Sequence, residues 1–121
     1  MKRIVIIDDC KLTLTMARDI LEEAGYEVLT AESGIEANQH IYASPAPDLI
    51  MIDVVMPMLQ GDRKVKLIKD RDSSARIPVL LMSSKSLEEL ESLVRESGAD
   101  GFMQKPLRPQ NLLSTVQQWA G

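Results

Sequence analysis

Several short apolar runs in the sequence are each followed directly by side chains that can bind a metal ion or a phosphoryl group. Asp8 and Asp9 follow the first run, Asp53 the third, Ser83 the fourth and Lys105 the fifth. Three carboxylates held close together would raise one another's pKa, so they need a cation. A hard divalent ion with oxygen ligands is the natural partner, and Mg²⁺ is the ion we expect.

A carboxylate held beside Mg²⁺ can act as a nucleophile toward phosphorus and form an acyl phosphate. Asp53 is the candidate, because it stands at the end of the run that we expect to form the central strand. Lys105 and the ion would stabilise the charge on the transferring group, and the hydroxyl of Ser83 could bond one of its oxygens. For Asp8 and Asp9 taken alone, helix capping is the competing interpretation.

The apolar runs predict the strands that must position these side chains. They cover residues 4–7, 27–29, 49–52, 79–82 and 101–103. Because the runs lack polar alternation, each strand should be buried on both faces, as strands are in parallel sheets covered by helices.

Segments with helical spacing lie between the strands. The first should end at Gly25, where a left-handed cap is favourable, and Ser33 and Ser86 each open a capping-box pattern at the start of a helix. The fourth helix should stop near Gly98, and Pro109 suits the first turn of the fifth. The predicted apolar faces are the rows Leu12, Met16, Ile20 and Ala17, Leu21, Ala24 in the first helix; Val65 and Ile68 in the third, over residues 62–72; Leu87, Leu90, Leu93 and Val94 in the fourth; and Leu112, Leu113, Val116 and Trp119 in the fifth.

Strand and helix alternate five times, which predicts an α/β fold with right-handed crossovers and a doubly wound parallel sheet in three layers. In such a sheet, ligands bind beyond the carboxyl ends of the strands, where the strand order reverses. If the order is 2-1-3-4-5, the first and third strands are neighbours, and Asp8, Asp9 and Asp53 converge at that point.

Composition and charge limit the classes of protein to which the chain can belong. Its 121 residues fit a single domain, residues 1–121, with 45% hydrophobic and 26% charged residues. A net charge of −4 and few aromatic side chains argue against nucleic acid binding.

No apolar stretch approaches the roughly 20 residues that span a bilayer, so we expect a cytoplasmic protein. Cys10, the only cysteine, excludes an internal disulfide, and the carboxylates beside it should disfavour its thiolate.

The sequence resembles the receiver domains of response regulators in two-component signalling, including the chemotaxis regulators. The resemblance spans nearly the whole chain. It rests on Ile7-Asp8-Asp9, on Asp53 with Met56-Pro57 and Gly61, on residues 78–83 and on residues 98–106. It implies a flavodoxin-like receiver fold with strand order 2-1-3-4-5.

The resemblance also implies a role for each residue at the metal and phosphoryl site. Asp53 would be the phosphoacceptor. Asp9, Asp53 and the backbone carbonyl of Val55 would bind Mg²⁺, while Asp8 would act mainly through bound water. Lys105 matches the lysine of the family, and the Lys105-Pro106 bond matches a position that is often cis.

Further implied roles concern switching and partners. Ser83 matches the switch hydroxyl and Phe102 the switch aromatic, which would move together between two conformers. The phosphoryl donor would be a histidine kinase or a histidine phosphotransfer protein. An output partner would dock on the fourth helix, fifth strand and fifth helix. Val55 and Lys85 stand where the family tunes the lifetime of the phosphoryl group, and Val55 offers no side chain to orient a water molecule, which predicts slow self-dephosphorylation.

Two alternatives to a phosphorylated switch remain at this point. One is a receiver-like interaction module that works without phosphorylation. The other is an aspartyl-phosphate phosphatase of the haloacid dehalogenase type, which normally has a second aspartate two residues after the nucleophile, where this sequence has Val55. The preferred hypothesis is a signalling switch that catalyses only its own Mg²⁺-dependent phosphorylation and dephosphorylation.

Overall fold

In the part of the chain that the structure describes, five parallel strands alternate with five helices. The computed structural model describes residues 1–56 and 59–121, so Pro57 of the sequence motif lies outside the described residues. The sheet order is β2-β1-β3-β4-β5, as the sequence predicts, and every strand pair is parallel. The elements are β1 (Arg3–Ile7), α1 (Lys11–Glu23), β2 (Glu27–Ala31), α2 (Asn38–Ile41), β3 (Leu49–Asp53), α3 (Gly61–Asp70), β4 (Val79–Ser83), α4 (Leu87–Ser97), β5 (Gly101–Gln104) and α5 (Pro109–Ala120).

The prediction that each strand is buried on both faces is confirmed for the central strands and wrong for the edge strands β2 and β5, which have partly exposed positions. Every residue of β3 and β4 is buried. Successive side chains of a strand point to opposite faces, so Ile4 and Ile6 pack in one apolar layer with α1 and α5, while Val5 and Ile7 pack in the other with α3 and α4. These two layers cover the sheet on both faces, and the parallel pairing of β1 with β3 holds their carboxyl ends side by side.

The predicted inner face of α1 is partly wrong. Leu14, Ala17 and Leu21 are the buried residues, at the i, i+3, i+7 spacing of one helical face. Leu12 is 77% exposed and Met16 39% exposed, so that row points away from the sheet. Of the same row only Ile20 is partly buried, and Ala24 of the other row is exposed. The end of the helix is as predicted, because Gly25 follows it with a φ of +97°.

The two capping-box patterns have different outcomes. Ser86 caps α4 as predicted, since its hydroxyl accepts a hydrogen bond from the backbone N–H of Glu89. Ser33 accepts the corresponding bond from Glu36, but residues 34–37 form turns and α2 covers only four residues. The pattern therefore stabilises the first turn at both places without determining the length of the helix that follows.

The remaining helices agree with the sequence except at the end of α3, which stops at Asp70 and not at residue 72, and at two further positions. As predicted, α4 stops at Gly98 and α5 begins at Pro109. The predicted apolar faces are also buried: fully at Val65, Ile68, Leu90, Leu112 and Val116, and partly at Leu93, Val94, Leu113 and Trp119. Leu87, which the helical spacing places on the apolar face of α4, is instead 53% exposed. The sequence does not predict the burial of Lys64, which is only 4% exposed. Its ammonium group donates a hydrogen bond to Asn38 and lies 5.9 Å from the centroid of the Tyr42 ring.

Candidate functional site

The carboxyl ends of four strands meet at one edge of the sheet, and the predicted site residues lie at these ends. Strand register aligns Asp53 with Met82 and Ser83 with Gln104, the residue before Lys105. The backbone N–H of Asp8 donates to Ala31 (3.0 Å), and that of Lys105 donates to Ser83 (2.8 Å). Backbone pairing thus fixes the starting point of each functional side chain.

Three carboxylates converge at this edge. Oxygen atoms of Asp8, Asp9 and Asp53 all lie within 4.8 Å of one another. Asp8 is fully buried and Asp53 is 7% exposed, whereas Asp9 is exposed. Oδ1 of Asp8 accepts a hydrogen bond from the backbone N–H of Cys10 (2.9 Å), which orients that carboxylate. A cluster that contains only oxygen donors, partly open to solvent, has the chemistry that hard divalent cations such as Mg²⁺ prefer.

Lys105 supplies a positive charge within the carboxylate cluster. Its Nζ lies 2.6 Å from Oδ2 of Asp8 and 3.5 Å from Oδ1 of Asp53. Burial alone would lower the pKa of Lys105, but its hydrogen bond with Asp8 and the charges of Asp8 and Asp53 raise it overall. The lysine is therefore an ammonium ion throughout the physiological range.

The carboxyl group of Asp53 has a raised pKa. Burial is the main cause, and the negative charge of Asp8 is the second. Lys105 acts in the opposite direction without cancelling these effects. Ionised Asp53 thus lies in surroundings that disfavour its charge, which is a common property of functional carboxylates.

Ser83 is the last residue of β4 and Phe102 lies in β5, and among the described residues no hydrogen bond joins Ser83 to the carboxylate cluster. The hydroxyl of Ser83 accepts a hydrogen bond from the backbone N–H of Lys85 (3.1 Å). Phe102 pairs with Leu81 in the register of β4 and β5, and its ring is partly buried against the layer that contains α3 and α4. Val55, two residues after Asp53, is 56% exposed.

The sequence motif singled out Gly61 without a physical reason, and the structure supplies one. A Cβ atom at Gly61 would lie 2.0 Å from the carbonyl oxygen of Asp53. The backbone N–H of Gly61 donates to the carbonyl of Val54 (2.9 Å). The first residue of α3 therefore packs directly on the backbone at the end of β3, and only glycine fits this close approach.

The net shift in the pKa of the Cys10 thiol is opposite to the prediction that its neighbouring carboxylates disfavour the thiolate. Asp8 does raise the pKa of Cys10, but hydrogen bonds with the side chain and backbone of Thr13 lower it more, and the net shift is downward. Sequence adjacency indicated the unfavourable charge correctly. It gave no indication of the Thr13 contacts, which form only when α1 begins at Lys11.

Comparison with known proteins identifies the family. The family model of the response regulator receiver domain matches residues 4–117. The chain belongs to this family. The resemblance inferred from the sequence is thereby confirmed, and the protein is a receiver domain of two-component signalling, a family of signalling switches. No helix in the described parts of this receiver domain has the length and apolar character needed to cross a membrane.

Individual relatives match the receiver domain over nearly its full length. The polar-differentiation response regulator DivK of Brucella anthropi is 28% identical over 120 residues, which are 99% of this chain and 97% of DivK. The chemotaxis protein CheY4 of Vibrio cholerae has a TM-score of 0.90 at 31% identity, with 98% of each chain covered. The receiver domain of the sensor histidine kinase PA1611 from Pseudomonas aeruginosa shares the fold, with a TM-score of 0.87, 22% identity and coverage of 99% and 98%; that structure has a magnesium ion in its active site cleft.

Proposed function

We propose that this receiver domain is a Mg²⁺-dependent phosphoacceptor and that Asp53 carries the phosphoryl group. One observation carries the proposal: the nearly buried carboxylate of Asp53 lies within 4.8 Å of two further carboxylates and 3.5 Å from the ammonium group of Lys105. This arrangement offers a nucleophilic oxygen together with groups that can bind a cation and stabilise negative charge on phosphorus.

In the proposed reaction, an oxygen of Asp53 attacks the phosphorus of a phosphohistidine on a histidine kinase or a histidine phosphotransfer protein. The new oxygen–phosphorus bond gives an aspartyl phosphate, the phosphorus–nitrogen bond breaks, and the imidazole nitrogen of the donor takes up a proton. Lys105, already close to Asp53, would neutralise an oxygen of the transferring group. Because such kinases draw their phosphoryl group from cytoplasmic ATP, the proposal implies a cytoplasmic location.

The cation would be held by the acidic side chains at this edge of the sheet. Asp9 and Asp53 would bind it through carboxylate oxygens and Val55 through its backbone carbonyl, while Asp8, hydrogen-bonded to Lys105, would act through bound water. When bound, Mg²⁺ supplies positive charge that reduces repulsion between the carboxylates and an incoming phosphoryl group. The exposed position of Asp9 leaves the site open to solvent, from which the ion would enter.

The output would be read on the face formed by α4, β5 and α5. A groove of about 460 Å³ on this face is lined by residues that include Leu87, Phe102, Lys105 and Asn111. Phe102 lies in β5, and Lys105, which follows that strand, is 3.5 Å from Asp53, so the groove adjoins the proposed phosphorylation site. The exposure of Leu87, which sequence periodicity did not anticipate, provides an apolar contact for a partner here. Movement of Ser83 toward the phosphoryl group, with Phe102 turning inward, would change this surface.

The direct test is phosphorylation by a small donor. The protein is incubated with Mg²⁺ and acetyl phosphate, and its intact mass is measured. We expect the mass of one phosphoryl group to be gained by the wild type and by the control Asp70→Asn, which changes an exposed aspartate of α3. Asp53→Asn should gain none, and EDTA should prevent the gain in the wild type. A gain that persists in Asp53→Asn would refute the assignment of Asp53. A wild type that never gains mass would instead indicate a receiver that works without phosphorylation.

A further inference from the structure

The end of β5 holds the loop between β4 and α4 through two consecutive residues. The backbone N–H of Lys105 donates to the carbonyl of Ser83 (2.8 Å). The side-chain amide of Gln104 donates to the carbonyl of Lys85 (3.0 Å). The first bond belongs to the sheet and fixes the backbone of Ser83. The second is made by a side chain and fixes the residues that follow.

The peptide groups of Lys85 connect Gln104 to the hydroxyl of Ser83. The N–H of Lys85 donates to the hydroxyl oxygen of Ser83 (3.1 Å), and the carbonyl of Lys85 accepts from Gln104. In the described residues no hydrogen bond joins Ser83 to Asp53. The hydroxyl therefore faces its own loop in this conformation, as serine hydroxyls do in local turns.

Contact with a phosphoryl group on Asp53 requires that hydroxyl to turn. Since the backbone of Ser83 is held at the end of β5, the turn must come from rotation of its side chain, which breaks the bond that the hydroxyl accepts from the N–H of Lys85. The bond from Gln104 keeps that N–H directed at the resting position of the hydroxyl and so favours the resting rotamer. The ammonium of Lys85 also lies 3.8 Å from Glu89, but this exposed ion pair contributes little.

We propose that Gln104 is a positioning residue that holds Lys85 in the resting conformation and thereby limits the release of the Ser83 hydroxyl toward the phosphorylated site. This inference rests on the proposed phosphorylation of Asp53. A bond present only in the resting conformer favours that conformer, so its removal should shift the population toward the active one. One hydrogen bond of modest net strength corresponds to a change of about two- to fivefold in the equilibrium.

The substitution Gln104→Met tests the proposal, because it keeps the length of the side chain and removes the donor. Gln118→Met is the matched control, since Gln118 is an exposed glutamine of α5. Beryllofluoride with Mg²⁺ serves as the probe, as a mimic of the phosphoryl group on a carboxylate. We expect Gln104→Met to bind it about two- to fivefold more tightly than the wild type, with faster hydrogen exchange at the Lys85 amide by NMR, while Gln118→Met leaves both unchanged.

The outcomes separate this inference from the proposed function. If the wild type binds beryllofluoride but Gln104→Met binds it no better than Gln118→Met, the role of Gln104 is overturned and the phosphoacceptor function stands. If the wild type does not bind beryllofluoride, both proposals fail. Gln104→Asn, which keeps the amide but shortens its reach, must shift the affinity in the same direction as Gln104→Met. If Gln104→Met melts at a clearly lower temperature than Gln118→Met, the affinity of Gln104→Asn for beryllofluoride decides whether the role of Gln104 stands.

Discussion

Replacement of Gly61 by alanine should destabilise the fold at the point where α3 packs on β3. The added Cβ would lie 2.0 Å from the carbonyl oxygen of Asp53, 2.8 Å from its carbonyl carbon and 3.0 Å from Cα of Val54. All three are backbone atoms, so no side chain can move aside and the start of α3 must shift. Such overpacking costs about 1–3 kcal/mol, and loss of the bond from Gly61 to Val54 costs about 0.5–1.5 kcal/mol more. Alanine's higher helix propensity offsets at most about 1 kcal/mol, so the middle of these ranges gives a net loss of about 2 kcal/mol.

Urea denaturation, followed by the fluorescence of Trp119, measures this loss. Gly34→Ala is the matched control, because the nearest atoms to its Cβ are side-chain carbons of Lys64 at 3.3 Å and Leu59 at 3.4 Å. Flexible side chains can move by the few tenths of an ångström required, so this variant should lose less than about 1 kcal/mol. If Gly61→Ala were no less stable than Gly34→Ala, the argument that only glycine fits against the end of β3 would be wrong.

Three further predictions concern the acidic site. The pKa of Asp53 is raised in the folded protein. In EDTA, the free energy of unfolding should therefore fall as the pH rises from the unfolded-state pKa near 4 through the higher folded-state value. Urea denaturation should show this pH dependence in the wild type and a weaker one in Asp53→Asn, which lacks the contribution of that carboxyl group. Mg²⁺ at about ten times its Kd should stabilise the wild type by about 1.4 kcal/mol, and at the same concentration should stabilise Asp9→Asn less, as thermal melts would show. Val55→Asn should speed loss of the phosphoryl group, measured by intact mass over time; an unchanged rate would contradict the role given to the exposed Val55.

Much of the fold could be predicted because its signals are local and repeated. Strands buried on both faces are apolar at nearly every position, so β1, β3 and β4 each appear in the sequence as a run of four apolar residues. The site followed from the same pattern, since the residue after each run lies at the carboxyl edge of a parallel sheet. Asp8 and Asp53, 45 residues apart in the sequence, can be paired in this way from the sequence alone.

Other features depended on contacts that the sequence does not contain. In α1, apolar residues occur on more than one face, and packing on the sheet selects the row of Leu14 rather than the row of Leu12. The burial of Lys64 depends on Asn38, 26 residues away, which accepts its hydrogen bond. Likewise, the need for glycine at position 61 comes from the approach of a helix to the backbone of Asp53. Each case requires a distance between segments that periodicity cannot supply.

The charges at the site indicate why a divalent cation should be essential for phosphorylation and not merely helpful. Three carboxylates and the ammonium group of Lys105 leave two negative charges at the edge of the sheet when all are ionised. A phosphoryl group brings further negative charge to the same place, and the burial of Asp53 weakens the screening by water. One divalent ion offsets the two negative charges that are present before the phosphoryl group arrives, whereas Lys105 is already engaged by Asp8 at 2.6 Å. Removal of Mg²⁺ by EDTA should therefore abolish the gain of mass from acetyl phosphate, and a monovalent salt at equal ionic strength should not restore it.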